Sequence, residues 1–342
     1  MAHPSAVRLV PDCRVSVDGK KLTVDKDAQL TRVEVDLDVD LFGRCVLVFN
    51  DPAQNLINGK DFQSGTAVKV EFGFAHQLKK VFEGEVVALE PQFRRDLPPS
   101  LRVICQESLH RLALSQMTRA YNNVDDGEIV KKIATEHGLS GQAPAGTKQH
   151  VLQGNVTDAV FLRRLASTHG NHLRIEGKKL IIGPPPRGAQ VILGPGDGIK
   201  KLKVHIKSNS QVSEVSAHGW DPVQKREIVA TARPQGQVGQ GARQHGKGSL
   251  AIAGHGDRPA DVATAEKMAQ GRLRRIAERF ATLAGEVIGD ARLLPGASVE
   301  LEKMGADIDG TWRVDKALHQ FSKHGYFVSF RASCAQCPPR RR

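Results

Sequence analysis

Hydrophobic and polar positions alternate strictly in the C-terminal part of the chain. The alternation runs over Val299–Glu302 and again over Tyr326–Arg331. A period of two is typical of a strand that buries one face. Ser322–Gly325 fits a tight turn between the last two strands, because Gly325 can adopt a positive φ. The pattern predicts a strand followed by a hairpin, roughly half of a barrel.

The same pattern recurs near the N-terminus. Gly65–Glu71 matches Gly296–Glu302 position for position, and Phe82–Leu89 follows it much as Gly310–Leu318 follows the later stretch. We interpret the two regions as one β-barrel module used twice. The alternative is chance, since any two β-meanders share glycine turns and alternating valines.

Changes in this pattern along the chain predict a mainly β protein with an α+β insert. The predicted domains are a first β-barrel at 1–107, a small α/β domain at 108–186, a second β-barrel at 187–333 and a flexible basic tail at 334–342. We expect a mobile loop, rich in Gly, Gln and His, at 233–256 and a helix at 259–280 to interrupt the second barrel.

Helix-start signals support this division. Asp125–Glu128 resembles a capping box for a helix at 129–137, and Thr157 is a candidate N-cap for a second helix. Asp257–Pro259 predicts the start of the helix in the second barrel, because proline is favoured in a first turn.

One predicted strand of the first barrel has an acidic face. Over Val33–Leu41, aliphatic residues alternate with Glu34, Asp36, Asp38 and Asp40. The simpler interpretation is a solvent-facing row of carboxylates. The other is a charged ring that lines a channel or a docking surface once several copies assemble.

Composition narrows the functional classes. The 342 residues are 40% hydrophobic, 25% charged and 5% aromatic, which fits a soluble globular protein of two or three domains. We see neither a secretory leader nor an apolar run long enough to span a bilayer, and so expect the cytoplasm. The net charge of +12 suggests acidic partners or passing nucleic acid. Specific nucleic-acid binding is not expected, because the basic residues are dispersed and not interleaved with aromatics.

No candidate chemical site is convincing. Cys334 and Cys337 form a CxxC pair without a second pair at zinc spacing. Gly236, Gly239 and Gly241 lie in a long polar loop, where a phosphate loop would need an adjoining helix. His169 and His172 are separated by a glycine, and only His150 is a nearby third ligand. Neither an activated nucleophile nor a spaced carboxylate pair is recognisable. We predict no catalytic, cofactor or metal site.

Several short motifs occur in an informative order. They are Leu109–Leu112, the capped helix at Asp125, Thr157–Gly170, Val215–Asp221, Leu294–Gly296, Asp309–Val314, His319 and Gly325–Tyr326. Together they resemble the phage late control gene D family over nearly the whole chain. That family includes the hub of contractile phage tails, T-even phages among them, and the N-terminal hub part of VgrG proteins of type VI secretion.

The resemblance implies a structural protein and not an enzyme. It implies a homotrimeric baseplate hub that joins a hexameric tail tube to a trimeric spike and contacts other baseplate components. Three chains with two similar barrels each would present six near-equivalent faces to the tube. The hub would assemble in the bacterial cytoplasm, without membrane contact, and then become part of the particle.

The resemblance also has a departure. VgrG chains continue into an OB-like domain and a β-helical needle, whereas this sequence stops at Arg342, so we expect a separate spike protein. The particle could be a phage, a tailocin, an extracellular injection system or a type VI-like machine. The alternative function is a baseplate-associated effector or cell-wall hydrolase, which would need catalytic carboxylates or zinc ligands.

Overall fold

The computed structural model of the chain describes residues 10–75, 77–207, 211–221, 224–235, 243, 246–253, 259, 261–306 and 308–334. The described strands are mostly antiparallel and form a 13-stranded sheet, two 3-stranded sheets and a 2-stranded sheet. None of the helices in these ranges is both long and apolar enough to cross a membrane. The prediction of a mainly β fold is confirmed.

The N-terminal part of the large sheet comes from residues before 107. Its elements are β1 (Pro11–Val17), β2 (Lys20–Lys21), α1 (Val24–Gln29), β3 (Leu30–Asp38), β4 (Arg44–Asn50), β5 (Ala67–Phe74), β6 (Gln77–Arg94) and β7 (Leu97–Gln106). The predicted strand with an acidic face is β3, which buries Val33, Val35 and Leu37. It ends earlier than predicted, since the backbone bends after Asp38 and leaves Leu41 55% exposed.

A buried carboxylate holds the segment between β4 and β5. Asp51 is 0% exposed. Its oxygens accept hydrogen bonds from the backbone N–H groups of Asn55 at 2.9 Å, Leu56 at 2.9 Å and Ile57 at 2.8 Å. These bonds place Leu56 against the core of the large sheet.

Asp51→Ala is expected to lower the free energy of unfolding by about 2–3 kcal/mol, because it leaves buried backbone donors without an acceptor. Asp61→Ala is the matched control, since Asp61 is 38% exposed and pairs with Lys26 at 2.6 Å. The control should cost less than about 1 kcal/mol. Urea denaturation of the three proteins measures both values, and equal losses would contradict the role of Asp51.

The predicted α+β insert at 108–186 contains helices and strands between 108 and 183. Its elements are a 3-10 helix (Ser108–Ala113), β8 (Gln116–Val124), α2 (Asp126–Glu136), β9 (Ser140–Gln142), β10 (Gln149–Thr157), α3 (Asp158–Thr168), β11 (His172–Glu176) and β12 (Lys179–Gly183). The predicted capping box is present, because Asp125 accepts from the N–H of Glu128 at 2.8 Å and the Glu128 carboxylate accepts from the N–H of Asp125 at 2.9 Å. Thr157 caps α3 as predicted. Both helices pack on a core separate from that of the large sheet.

The C-terminal half of the chain contributes to two different sheets. Its elements are β13 (Gln190–Leu193), β14 (Ile199–Ile206), β15 (Glu214–Asp221), β16 (Arg226–Ala232), β17 (Ser249–Ala253), α4 (Val262–Glu278), β18 (Ala281–Ile288), β19 (Ser298–Leu301), β20 (Gly310–Ser322) and β21 (Gly325–Cys334). β13, β14 and β18–β21 join the large sheet. The predicted turn at Ser322–Gly325 lies between β20 and β21, where Ser322 faces Gly325.

β15, β16 and β17 form a sheet of their own on α4. Within the described residues they pair only with one another. Val215 and Ala217 of β15 pack on Ala265 and Ala269 of α4 in a third hydrophobic core. The segment that interrupts the second half of the large sheet is therefore larger than the predicted loop and helix. It also includes strands of this small sheet, which bury their apolar face on α4.

Two details of the predicted interruption need correction. The mobile loop predicted at 233–256 contains β17, which pairs parallel to β15 and packs Leu250 and Ile252 on the third core. The helix begins later than predicted, because Asp261 is its N-cap and accepts from the N–H of Thr264 at 2.6 Å. Asp257, the predicted cap, lies outside the described residues.

The large sheet follows an open path. In order, it runs β14, β18, β21, β20, β3, β4, β7, β6, β5, β1 and β2, with β19 attached to β20 and β13 attached to β19. No pairing among the described strands closes either half into a barrel. The physical reason is that β3 pairs with β4 through one edge and with β20 of the other half through its second edge, so this edge does not pair with a strand of its own half. The domain boundaries at 107, 186 and 333 stay a prediction.

Candidate assembly surface

The two halves of the large sheet repeat one strand order. We call β3, β4, β7, β6 and β5, neighbours in that order, the first module. We call β14, β18, β21, β20 and β19 the second module. Every pairing within both modules is antiparallel. The strands beyond them differ, since β1 is antiparallel to β5 whereas β13 is parallel to β19.

The modules also share a local irregularity. Each long strand has a register shift at the same point, between Val86 and Ala88 in β6 and between Val314 and Lys316 in β20. Just before it, Val86 accepts from the N–H of Gly65 at 2.8 Å, and Val314 accepts from the N–H of Gly296 at 2.8 Å. A β-bulge conserved in position between two modules is hard to attribute to chance. The predicted repetition is therefore visible in the backbone pairing.

One seam joins the two modules within the chain. β20 pairs with β3 from Lys316 opposite Asp38 to Ser322 opposite Arg32. On the core side, Ala317 and Val35 are fully buried, so the modules share one hydrophobic core. We call this strand pair the internal seam.

The outward face of the internal seam is charged. Lys316 lies 2.9 Å from the carboxylate of Asp36, and the side-chain amide of Gln320 donates to Glu34 at 3.3 Å. The acidic row of β3 is thus half-exposed and partly neutralised by β20. Each such pair contributes little stability in water, so the buried face and the backbone hydrogen bonds carry most of the seam.

A buried polar group lies within the internal seam, where His319 of β20 faces Val35 of β3. His319 is 0% exposed, its Nδ1 accepts from the hydroxyl of Tyr326 at 2.7 Å, and its Nε2 donates to the carbonyl of Leu293 at 2.9 Å. Tyr326 stacks on Phe72 of the first module at 4.8 Å between ring centroids. Burial lowers the pKa of His319 to about 4, so the imidazole is neutral at pH 7.

A basic cleft of about 820 Å³ lies between α4 and the second module. Its basic lining residues are Lys203, His205, Lys207, Arg272, Arg275, Arg279, Arg313, Lys316 and Arg331, and its acidic ones are Asp38, Asp40, Glu278 and Asp315. His172 contacts Asp40 at 2.9 Å, and this hydrogen bond lowers the pKa of the carboxyl. Such a lining can attract an anionic group.

The histidines considered as metal ligands lie apart and have different partners. His169 contacts Asp126 at 3.2 Å, His172 contacts Asp40, and His150 contacts Asn122 at 3.3 Å. Across the residues that the structure describes, no three His, Cys, Asp or Glu side chains are grouped to hold a metal ion.

The other candidates are only partly described. Cys334 is buried at the end of β21. Cys337 and the glycines at 236, 239 and 241 lie outside the described residues, as does most of the predicted tail at 334–342.

The correspondence between β3 and β14 is not among the features predicted from the sequence. A signal was present, because both strands alternate aliphatic with charged residues, acidic over Val33–Asp38 and basic over Leu202–Lys207. The opposite sign of the charges concealed the match.

The fold is that of phage tail proteins in solved structures. A 43 kDa tail protein of prophage MuSo2 from Shewanella oneidensis is 16% identical, with 95% of this chain and 98% of that chain covered and a TM-score of 0.69. A tail protein from Neisseria meningitidis MC58 is 16% identical, with 95% and 96% covered and a TM-score of 0.65.

A third structure extends the likeness to secretion systems. The E. coli c3393 protein is described as a component of the type VI secretion system with similarity to T4 bacteriophage tail proteins gp27 and gp5. It is 14% identical, with 96% of this chain and 77% of that chain covered and a TM-score of 0.62.

The sequence itself matches a family model described as the Alg8 N-terminal domain over residues 8–323, and the chain belongs to this family. None of the curated protein sequences matches it.

Proposed function

We propose that the chain is the baseplate hub of a contractile tail or injection system, of the late control gene D type. In this role, a homotrimer adapts a hexameric inner tube to a trimeric spike and binds other baseplate components. The function is structural and not enzymatic. The protein assembles in the bacterial cytoplasm and then becomes part of the particle.

The observation that carries the proposal is the repetition of one five-strand module in one chain. A tube of six subunits and a spike of three differ in symmetry. Three copies of a chain with two equivalent modules offer six similar surfaces on one side while keeping three-fold symmetry elsewhere. The internal seam gives the modules a fixed relation, which a symmetry adaptor needs.

Light scattering on the full chain, alone and mixed with the tail-tube protein of the same particle, tests the proposal. We expect the mass of three chains and a ring with six lobes in electron micrographs, and co-elution with the tube protein. A protein that stays monomeric at about 100 μM, well above typical assembly affinities, and ignores the tube protein would contradict the hub function. Lysis of peptidoglycan by the purified chain would contradict the structural role.

A further inference from the structure

We propose that the outer edge of β14 in one copy of the chain pairs antiparallel with Ala88–Arg94 of β6 in a second copy. This inference rests on the hub function proposed above and identifies the surface that joins the copies. Its basis is the internal seam, because β14 corresponds to β3 and β6 corresponds to β20. Within the described residues, β14 pairs only with β18, and Ala88–Arg94 pairs only with β7. We call the proposed pair the external seam.

The strand partners fix the correspondence residue by residue. Val35 faces Cys45 in the first module as Val204 faces Leu283 in the second, so Val35 and Val204 are equivalent. Ala88 follows the bulge of β6 as Lys316 follows the bulge of β20.

The register of the external seam follows from this correspondence. In the internal seam, Asp36 faces Leu318 and Val35 faces His319. The equivalent positions are His205 opposite Glu90 and Val204 opposite Pro91. A slip of one residue would turn the apolar side chains of β14 to the opposite face of the sheet, so the register is strongly specified.

Apolar side chains that are buried in the internal seam have exposed counterparts on the two edges that would form the external seam. Leu37 is 6% exposed within the internal seam, whereas its counterpart Ile206 is 43% exposed. Ala317 is 0% exposed, whereas its counterpart Leu89 is 42% exposed. Phe93 is 63% exposed, whereas its counterpart Phe321 packs on the core. A second copy would cover this row of apolar side chains.

At the centre of the external seam the charges are complementary with reversed sign, and Glu90, the acidic residue there, also contacts Arg102 of β7 at 2.7 Å within its own chain. In the internal seam the acidic row is on β3, and Lys316 on β20 neutralises it. In the external seam the basic row is on β14, where Lys203, His205 and Lys207 surround the position opposite Glu90. Because the acidic and basic sides are exchanged between the two seams, each strand edge favours its own partner. A pairing of β3 with β6 would place carboxylates opposite one another.

The two edges are protected in the single chain. Lysines along β14 discourage uncontrolled strand pairing, and Pro91 has no N–H to offer. Arg94 faces Lys201 at the end of the seam, where both side chains reach solvent.

The external seam is heterologous, because β14 of one copy binds β6 of the next. A contact of this kind either closes into a ring or grows into a filament. If it repeats the geometry of the internal seam, modules follow one another at equal steps, and a ring closed by three chains contains six modules.

Cysteine cross-linking in the full chain tests the register. E90C combined with H205C places cysteines directly opposite, at about 4.5–5.5 Å between Cα atoms. We expect covalent species up to the mass of the whole ring on a non-reducing gel. Q92C combined with H205C is the matched control, because a diagonal pair at about 7–8 Å cannot be bridged without backbone movement. The cross-linked fraction should be about tenfold lower in the control.

The outcomes separate this inference from the hub function. A complex with the mass of three chains in which neither pair cross-links, or both cross-link equally, would overturn the external seam and leave the hub function standing. A wild-type chain that is monomeric at every concentration would overturn the hub function and the external seam together.

A charge exchange tests recognition independently. E90K should weaken self-association by about fivefold, since it places like charges opposite one another. Adding K203E and H205E to E90K should restore at least half of the lost association. Lys203 and His205 are exposed in the single chain, whereas Glu90 contacts Arg102 of its own chain, so circular dichroism of each variant checks that the fold is unchanged. Failure of the restoring substitutions would count against the charge pairing.

Discussion

Trp312→Ala is expected to lower the free energy of unfolding by about 3–5 kcal/mol, the largest effect of any single substitution predicted for this chain. Trp312 is 0% exposed, and its indole N–H donates to the carbonyl of Ile308 at 3.0 Å. Removing it creates a large cavity in the core that the two modules share and leaves the Ile308 carbonyl without this donor.

The chain supplies a matched control, because it has only two tryptophans. Trp220 is 52% exposed on β15, so Trp220→Ala should cost about 1 kcal/mol or less. Urea denaturation followed by circular dichroism measures both variants. Similar losses in the two variants would show that Trp312 does not anchor the core.

The first module has Gly84 at the position that is equivalent to Trp312 in the second module. Val68 faces Gly84 as Val299 faces Trp312. A Cβ on Gly84 would lie 2.3 Å from the carbonyl oxygen of Gln106. The ring of Phe82, two residues earlier, lies over this glycine and is 2% exposed. The two modules thus fill the same space from different positions.

Acidification from pH 6.5 to pH 4 is expected to remove about 3 kcal/mol of stability through His319 alone. Burial lowers the pKa of His319 from 6.5 to about 4. Above pH 6.5 the imidazole is neutral in both states and contributes nothing. Between the two values the unfolded chain binds a proton that the folded chain excludes, so stability falls with pH. Below about pH 4 both states are protonated and the loss is complete.

The comparison between wild type and His319→Gln isolates this contribution, because carboxylates titrate in both proteins. A glutamine can still accept from Tyr326 and donate to Leu293. The variant should lose about 3 kcal/mol less than wild type between pH 6.5 and pH 4. Parallel slopes for wild type and His319→Gln would contradict the role of His319.

Local structure could be predicted well from the sequence, because its signals are short. The capping box at Asp125, the N-cap at Thr157 and the turn before Gly325 each depend on a few neighbouring residues. The match between Gly65–Glu71 and Gly296–Glu302 identified two strands that do occupy equivalent places in the sheet.

The assignment of strands to sheets could not be predicted. β15 and β16 form an antiparallel pair of the same kind as β20 and β21, and only the apolar face of α4 decides that they leave the large sheet. The path of that sheet was equally hidden, since the pairing of β3 with β20 depends on shape complementarity between two distant regions. The candidate assembly surface depends on both the assignment of strands to sheets and the path of the large sheet, so it could not be predicted either. In addition, β3 has acidic residues where β14 has basic ones, and this difference obscured the equivalence of the two strands.

The internal seam has a consequence for how the protein is made. Asp36 and Lys316, which meet across it, lie 280 positions apart in the chain. At a translation rate of about 5–20 residues per second, the partner of β3 leaves the ribosome tens of seconds after β3 itself. During that interval the N-terminal strands expose an open edge, and its carboxylates would repel the same edge on a neighbouring nascent chain. The internal seam can therefore form only after the hairpin of β20 and β21 has been made.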